Sequence, residues 1–281
     1  MNVTSECAFK GKLFGREIEI VIYGVNEKKS AKIFEEVYKE ALRLEKIFNF
    51  YDNNSELSKL NKKRKMNISQ ELAEVLTKSL VFCEMTDGEY DVSLGKSIKN
   101  RKEGKNDIEV SCSYKDIGID GRKVSLNHED VLIDLSSIAK GYITDRLGDF
   151  LKANGAENFI IDSRGDILVS GNIKQIISIQ HPRDKDRDIG KIIVEDEAVA
   201  TSGDYNQFYG SYDKPHILNK KDVISATVVA PSLEEADVYA SALFLTDEKS
   251  RKKLSKENPY IKAIIVNNKL EKEYLGEVHE A

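Results

Sequence analysis

One change of rhythm constrains the fold of this chain more than any other feature. From Ile33 to about Asn154 the apolar residues recur mainly at helical spacing, and from Phe159 onward they fall into short strand-like runs. Helices grouped first and strands grouped afterwards do not give the regular alternation of a doubly wound sheet. The pattern predicts an α+β protein with mixed and antiparallel sheets and packed helices. An alternating strand (Ile18, Ile20, Ile22) precedes a long amphipathic helix marked by Ile33, Val37, Ala41, Leu44 and Phe48. Turn chemistry at residues 51–56 separates it from a second helix (Leu72, Val75, Leu76, Leu80, Cys83) that stops at Asp87-Gly88. Residues 99–110 read as a charged surface loop, and a third helix is expected from about Ser137 to Asn154-Gly155. Strands follow at 159–161, 167–169, 176–179, 192–194, 198–200 and 224–230. Ser232 to Glu235 form a capping box that opens a further helix, and 263–268 read as a terminal hairpin. No internal repeat or break in composition divides the chain, so residues 1–281 are expected to form a single domain.

Composition removes several classes of function. The apolar runs are too short to span a membrane, so no transmembrane segment is expected. A net charge of −5 argues against a nucleic-acid partner, and the run Lys62-Lys63-Arg64-Lys65 reads as a solvated approach to the next helix. Three widely separated cysteines argue against a disulfide framework and a paired-cysteine zinc site; Cys83, within a helical pattern, reads as a core residue. The start of the chain lacks a basic patch followed by an apolar stretch, which favours the cytoplasm, or an extracytoplasmic setting if a leader has been removed.

Three segments carry candidate chemistry. In IDLSSIAKGYITDR (133–146), a strand end delivers Asp134 and two serines to a helix that carries Lys140 and Gly141. A helix N-terminus with a nearby lysine suits a phosphate, although Asp134 as a plain helix cap and Lys140 in solvent fit the same spacing. Ala200 to Tyr205 can form a turn whose N–H groups cradle an anion, or an ordinary strand-to-loop turn. Asp237 and Ser241 lie four apart on one helix face, where a carboxylate and a hydroxyl can converge on a hard cation; Ser241 bonded back to a carbonyl is the alternative. The four histidines have no metal-ligand spacing, and His216 is the one placed between candidate segments. Arg164-Gly165-Asp166 reads as a coincidental match to an adhesion tripeptide.

Taken in order, eight segments resemble the ApbE family of FAD:protein FMN transferases. They are Phe14-Gly15 before a strand, FNFYDNNSELSKLN (48–61), TDGEYDVSLGKSI (86–98), IDLSSIAKGYITD, RGDILVSG, ATSGDYNQFY, KPHILN and ATVVAPSLEEADVYASALFL. The resemblance implies an ApbE-like fold with a T-fold-like core. It also implies Mg2+-dependent transfer of the FMN half of FAD to a Thr or Ser hydroxyl of an acceptor flavoprotein, with release of AMP. By the same resemblance Phe14, Glu89, Tyr90, Asp91, Asp134 and Lys140 contact FAD, with Ile217 and Leu218 beside it. Asp237, Ser241 and the main-chain carbonyl of Ser137 hold magnesium, and His216 or Asp237 supplies a general base. The same site would serve an FAD pyrophosphatase, or an FAD-binding protein without turnover. Ser136-Ser137 replace smaller residues of the family, Ser241 replaces a threonine, and Asn219-Lys220-Lys221-Asp222 replaces a proline-glycine turn.

Overall fold

A computed structural model describes residues 5–103, 110–205 and 222–281. The chain opens with the hairpin β1 (Glu6–Leu13) and β2 (Arg16–Tyr23), followed by α1 (Glu27–Phe48), α2 (Glu56–Lys63), β3 (Lys65–Asn67), α3 (Gln70–Met85) and α4 (Gly95–Lys102). Next come β4 (Ile117–Asp120), β5 (Lys123–Leu126), α5 (Ala139–Ala153), β6 (Asn158–Asp162), β7 (Ile167–Ser170), β8 (Lys174–Gln180), β9 (Asp188–Glu195) and β10 (Ala198–Gly203). The described chain closes with β11 (Val223–Ala230), α6 (Leu233–Leu245), α7 (Glu248–Glu257), β12 (Lys262–Asn267) and β13 (Lys272–Leu275). Eight strands form one sheet in the order β1-β2-β6-β7-β10-β11-β12-β13, and each of its pairings is antiparallel. The expected α+β class is observed, with the helices and the sheet segregated into layers.

The two faces of the sheet are covered differently. Helices α1, α5 and α6 pack on one face, where Ile18, Ile20 and Ile22 of β2 meet Ile33, Val37, Ala41 and Leu44 of α1 in the main core. The β8–β9 hairpin closes the other face through a smaller cluster that includes Val169, Ile177, Ile179, Ile192, Val194 and Val199. Strand β11 lies under both covers and is buried at all its positions. That explains its unbroken apolar run: alternation vanishes when neither face meets water. α1 begins at Asn26, whose side chain accepts the Lys29 N–H, and α3 begins at Ser69, which accepts the Leu72 N–H.

Three expectations require correction. Residues 99–102 belong to α4 rather than to a surface loop. Its buried contacts are made by Gly95 and Ser97, not by apolar residues, so hydrophobic periodicity is silent there. The third helix starts at Ala139, because the preceding residues are held in a turn by the Asp134 side chain, which accepts the Ser136 N–H at 2.9 Å. Within the basic run, Lys62 and Lys63 are exposed as expected, but Arg64 turns inward in a left-handed conformation (φ 65°). Its guanidinium donates to the carbonyls of Val131 (2.5 Å) and His128. Cys83 is fully buried, and burial pushes its thiol up to about 12, in keeping with a core role.

Candidate active site

Where the sequence suggests a strand end before α5, the structure has an extended segment whose one β-bridge joins Leu132 to Leu94, and hydrogen bonds hold it to two other segments. Asn61, at the end of α2, clamps Ile133 from both sides: its amide nitrogen donates to the Ile133 carbonyl at 2.9 Å, and its oxygen accepts the Ile133 N–H at 2.8 Å. The Leu132 and Asp134 N–H groups donate to the carbonyls of Ser93 and Val92 (3.0 and 2.9 Å), and Gly95 N–H returns to Leu132 at 2.8 Å. A Cβ on Gly95 would stand 2.4 Å from the Leu132 carbonyl oxygen, so glycine is what permits this approach. Residues 48–61, 86–98 and 133–146 are far apart in sequence; these bonds make them one structural unit.

A second device docks α5 on α6. Gly141 abuts the first turn of α6, where a Cβ would meet the Leu233 carbonyl oxygen at 2.4 Å. One turn on, the Asp145 carboxylate accepts the N–H groups of Leu233 and Glu234, both at 2.8 Å, and so caps the neighbouring helix. Burial raises Asp145 to about 7, with the two N–H groups opposing and the Glu234 and Asp149 carboxylates assisting. This docking carries Lys140 on α5 alongside Asp237 and Ser241 on α6.

The result is a cleft of about 1080 Å³, at the upper end for small-molecule sites. Phe14, Glu89, Tyr90, Asp91, Asp134, Ser137, Lys140, Asp237 and Ser241 all line it. His216, Ile217 and Leu218 lie outside the described residues. Phe14 is held at φ 52° in a two-residue hairpin turn with Gly15 (φ 70°), a left-handed conformation that costs a bulky residue about 1–2 kcal/mol. Tyr90 is buried and its hydroxyl meets the Ser137 hydroxyl at 2.8 Å. Asp91 is engaged by backbone, accepting the Ser93 and Tyr114 N–H groups at 2.8 and 3.0 Å, and burial raises its pKa. Asp134 spends one oxygen on Ser136; the other is buried without a hydrogen-bond partner.

Asp237 is 6% exposed, and its Oδ2 accepts the Gly141 N–H at 3.3 Å. Burial raises its pKa, while the Lys140 ammonium and the Gly141 N–H oppose the shift. Ser241 does not bond back to its own helix; its hydroxyl meets that of Ser202 on β10 at 3.1 Å. Beside them, Thr201 and Thr227 face each other across β10 and β11 with hydroxyls 3.0 Å apart. Sequence reasoning missed two participants. Asp166, set aside with the adhesion tripeptide, is buried in direct contact with the Lys140 ammonium, and Thr227 pairs with Thr201 through strand register alone.

Charge sets what this cleft can bind. Its described lining includes eight carboxylates (Glu17, Glu45, Asp52, Glu89, Asp91, Asp134, Asp166, Asp237) against three cations (Arg16, Lys140, Arg164), so an anionic ligand requires a counter-cation. Among the described residues no three His, Cys, Asp or Glu side chains are grouped to hold a metal by themselves. One carboxylate and one hydroxyl, both oxygen donors, fit a hard cation that takes its remaining ligands from phosphate and water. No helix among the described residues is long and apolar enough to cross a membrane.

Comparison with known proteins follows the same segments. Residues 14–265 match the model of the ApbE family. The FAD:protein FMN transferase of Escherichia coli (strain K12) is 23% identical over 91% of this chain and 83% of its own length. That of Buchnera aphidicola subsp. Schizaphis graminum is 27% identical over 75% of this chain and 72% of its own. Among solved structures, the ApbE protein of Thermotoga maritima superposes with a TM-score of 0.82 at 23% identity, covering 97% of both chains. The flavin transferase ApbE of Vibrio cholerae gives 0.80 at 22%, covering 99% of this chain and 97% of its own. The match across residues 14–265, on a fold shared over nearly the whole length, shows that the chain belongs to the ApbE family.

Proposed function

We propose that this protein transfers the FMN half of FAD to a Thr or Ser hydroxyl of an acceptor flavoprotein, releasing AMP, with residues 1–281 acting as one domain. The observation that carries this reading is the convergence of Lys140, Asp237 and Ser241 in the cleft, in a member of the ApbE family with relatives named FAD:protein FMN transferase. The α5 N-terminus and the Lys140 ammonium are suited to receive a diphosphate, since both present positive charge. Asp237, Ser241 and the Ser137 carbonyl would hold Mg2+ in this reading. When bound, the cation supplies charge neutralisation for the phosphorus–oxygen bond that breaks.

The chain's own residues account for the remaining requirements. Burial of Asp237 disfavours its bare charge, which gives the carboxylate a reason to take a cation. The Gly141 N–H and the Asp145 cap keep that carboxylate in register with Lys140. Phe14, Glu89, Tyr90, Asp91 and Asp134 would contact FAD along the rest of the cleft, with His216, Ile217 and Leu218 bordering the flavin or diphosphate. The acceptor hydroxyl attacks the FMN phosphorus, a new phosphate ester forms, and AMP departs. The proton lost by the acceptor hydroxyl needs a base, a role assigned in this reading to His216 or Asp237.

The test is incubation of the chain with FAD, MgCl2 and a threonine-bearing acceptor domain, followed by intact-mass measurement and AMP quantitation. Flavin bound to the acceptor in equal amount to AMP is expected. AMP without labelled acceptor would indicate hydrolysis by water, and intact FAD would indicate binding alone; either result contradicts transfer.

A further inference from the structure

Asp166 takes no part in the chemistry assigned above, yet it is built into the site with care. The turn that delivers it is tight: Asp162 Oδ1 accepts the Gly165 N–H at 2.7 Å, the Ser163 N–H donates to the Asp166 carbonyl at 2.8 Å, and Arg164 and Gly165 both have positive φ. The Asp166 side chain is 6% exposed, and a carboxylate so buried requires compensation. Oδ1 accepts the Thr201 N–H at 3.3 Å, and Oδ2 holds the Lys140 ammonium. Thr201 is the residue whose hydroxyl meets Thr227. One carboxylate therefore ties the first turn of α5 to the end of β10, across the part of the cleft where the diphosphate is placed. Lys140 itself keeps about a third of its side chain exposed, so the pair opens to the cleft on the lysine side.

We propose, on the basis of the flavin-transfer reading, that Asp166 is a positioning residue for Lys140. A free lysine ammonium rides on a four-carbon stem and samples many positions, whereas an anchored carboxylate fixes it at one. The carboxylate also offsets the lysine charge, so a bare FAD dianion meets a site with little net attraction. Two consequences follow from removing its charge. Metal-free FAD should bind more tightly, because a neighbouring anion has gone. Transfer should slow, because the ammonium is no longer held where the reacting phosphate lies.

The experiment uses the full chain as wild type, Asp166→Asn, Asp166→Glu, Lys140→Met and the double variant Lys140→Met/Asp166→Asn. FAD affinity is read from flavin fluorescence in EDTA, and kcat from acceptor labelling with MgCl2. Asp166→Asn should bind metal-free FAD about fivefold more tightly than wild type. Its kcat should fall by about tenfold or more. Asp166→Glu should recover part of that loss. Lys140→Met should reproduce the kcat loss, and adding Asp166→Asn to it should cost no more, since residues acting through one another are not additive. Wild-type values for both quantities in Asp166→Asn, or an equal further loss in the Lys140→Met background, would overturn the assignment. Should Asp166→Asn fail to fold, Asp166→Glu and Lys140→Met decide: kcat at wild-type level in Lys140→Met sinks the proposal. Failure of the underlying reading is visible separately, in a wild type that neither binds FAD nor labels the acceptor, and the proposal falls with it.

Discussion

The two covers of the large sheet do different work. The β8–β9 hairpin closes its face with buried aliphatic side chains, Ile177, Ile179, Ile192 and Val194, packed on Val169, Val199, Val229 and Ile264 of the sheet, none of which can ionise. It adds a wall to the cleft at Ile177 to Gln180, but no charge. The helix cover interlocks α5 and α6 through polar contacts: Asp145 on two N–H groups, Asp237 on Gly141, and a glycine where backbones touch. Apolar packing is tolerant of small errors in position, whereas hydrogen-bonded contacts between two helices fix their register. The proposed chemistry lies where register is fixed.

The largest effect that separates the two covers is expected from Asp237→Ala. Loss of one preorganised electrostatic contact at a reacting phosphate costs about 3 kcal/mol, so kcat should fall by about a hundredfold or more while the melting temperature stays near wild type. Steady-state labelling and a thermal melt read both; unchanged kcat breaks the comparison at once.

Asp145→Asn comes next. Because burial raises Asp145 to about 7, the folded protein between about pH 4 and 7 holds a proton that the unfolded chain has released. This group's contribution is therefore present at low pH and lost as pH rises through that window. The unfolding free energy of wild type relative to Asp145→Asn, read from urea melts, should fall across the window by up to roughly 4 kcal/mol. Parallel curves would show that Asp145 does not titrate there.

Gly141→Ala sets two effects against each other. Alanine gains about 1 kcal/mol of helix propensity. Its Cβ would meet the Leu233 carbonyl oxygen at 2.4 Å, and a backbone atom does not yield as a side-chain tip does. Overpacking should win, with a net loss of roughly 1–2 kcal/mol and a parallel fall in kcat as α6 is displaced. A stabilised variant with full activity would show that the helix docking is loose. The smallest effect belongs to the other cover: Ile192→Val, at a position 1% exposed, should cost about 1 kcal/mol by chemical denaturation and leave kcat alone.

Much of this arrangement was legible in sequence where the signal is local. The Asp237–Ser241 spacing, the Lys140 position at the start of a helix, and the continuous run of β11 each follow from the period of one element. The missed parts depend on partners distant in the chain. Asp166 is silent until β7 lies beside α5, and the Asn61 clamp on Ile133 spans 72 residues. Helices α4 and α7 went unread because few of their buried contacts are apolar: Gly95 and Ser97 in one, Arg251 beside Leu254 in the other.

The central claim is that the ligand's diphosphate and its cation sit at the α5–α6 end of the cleft. The most direct test is a crystal structure with FAD and Mn2+, a cation with strong anomalous scattering standing in for Mg2+. The account predicts an anomalous peak bonded to the Asp237 carboxylate and the Ser241 hydroxyl, with the Lys140 ammonium on the diphosphate. A peak elsewhere, or a diphosphate away from Lys140, would contradict it.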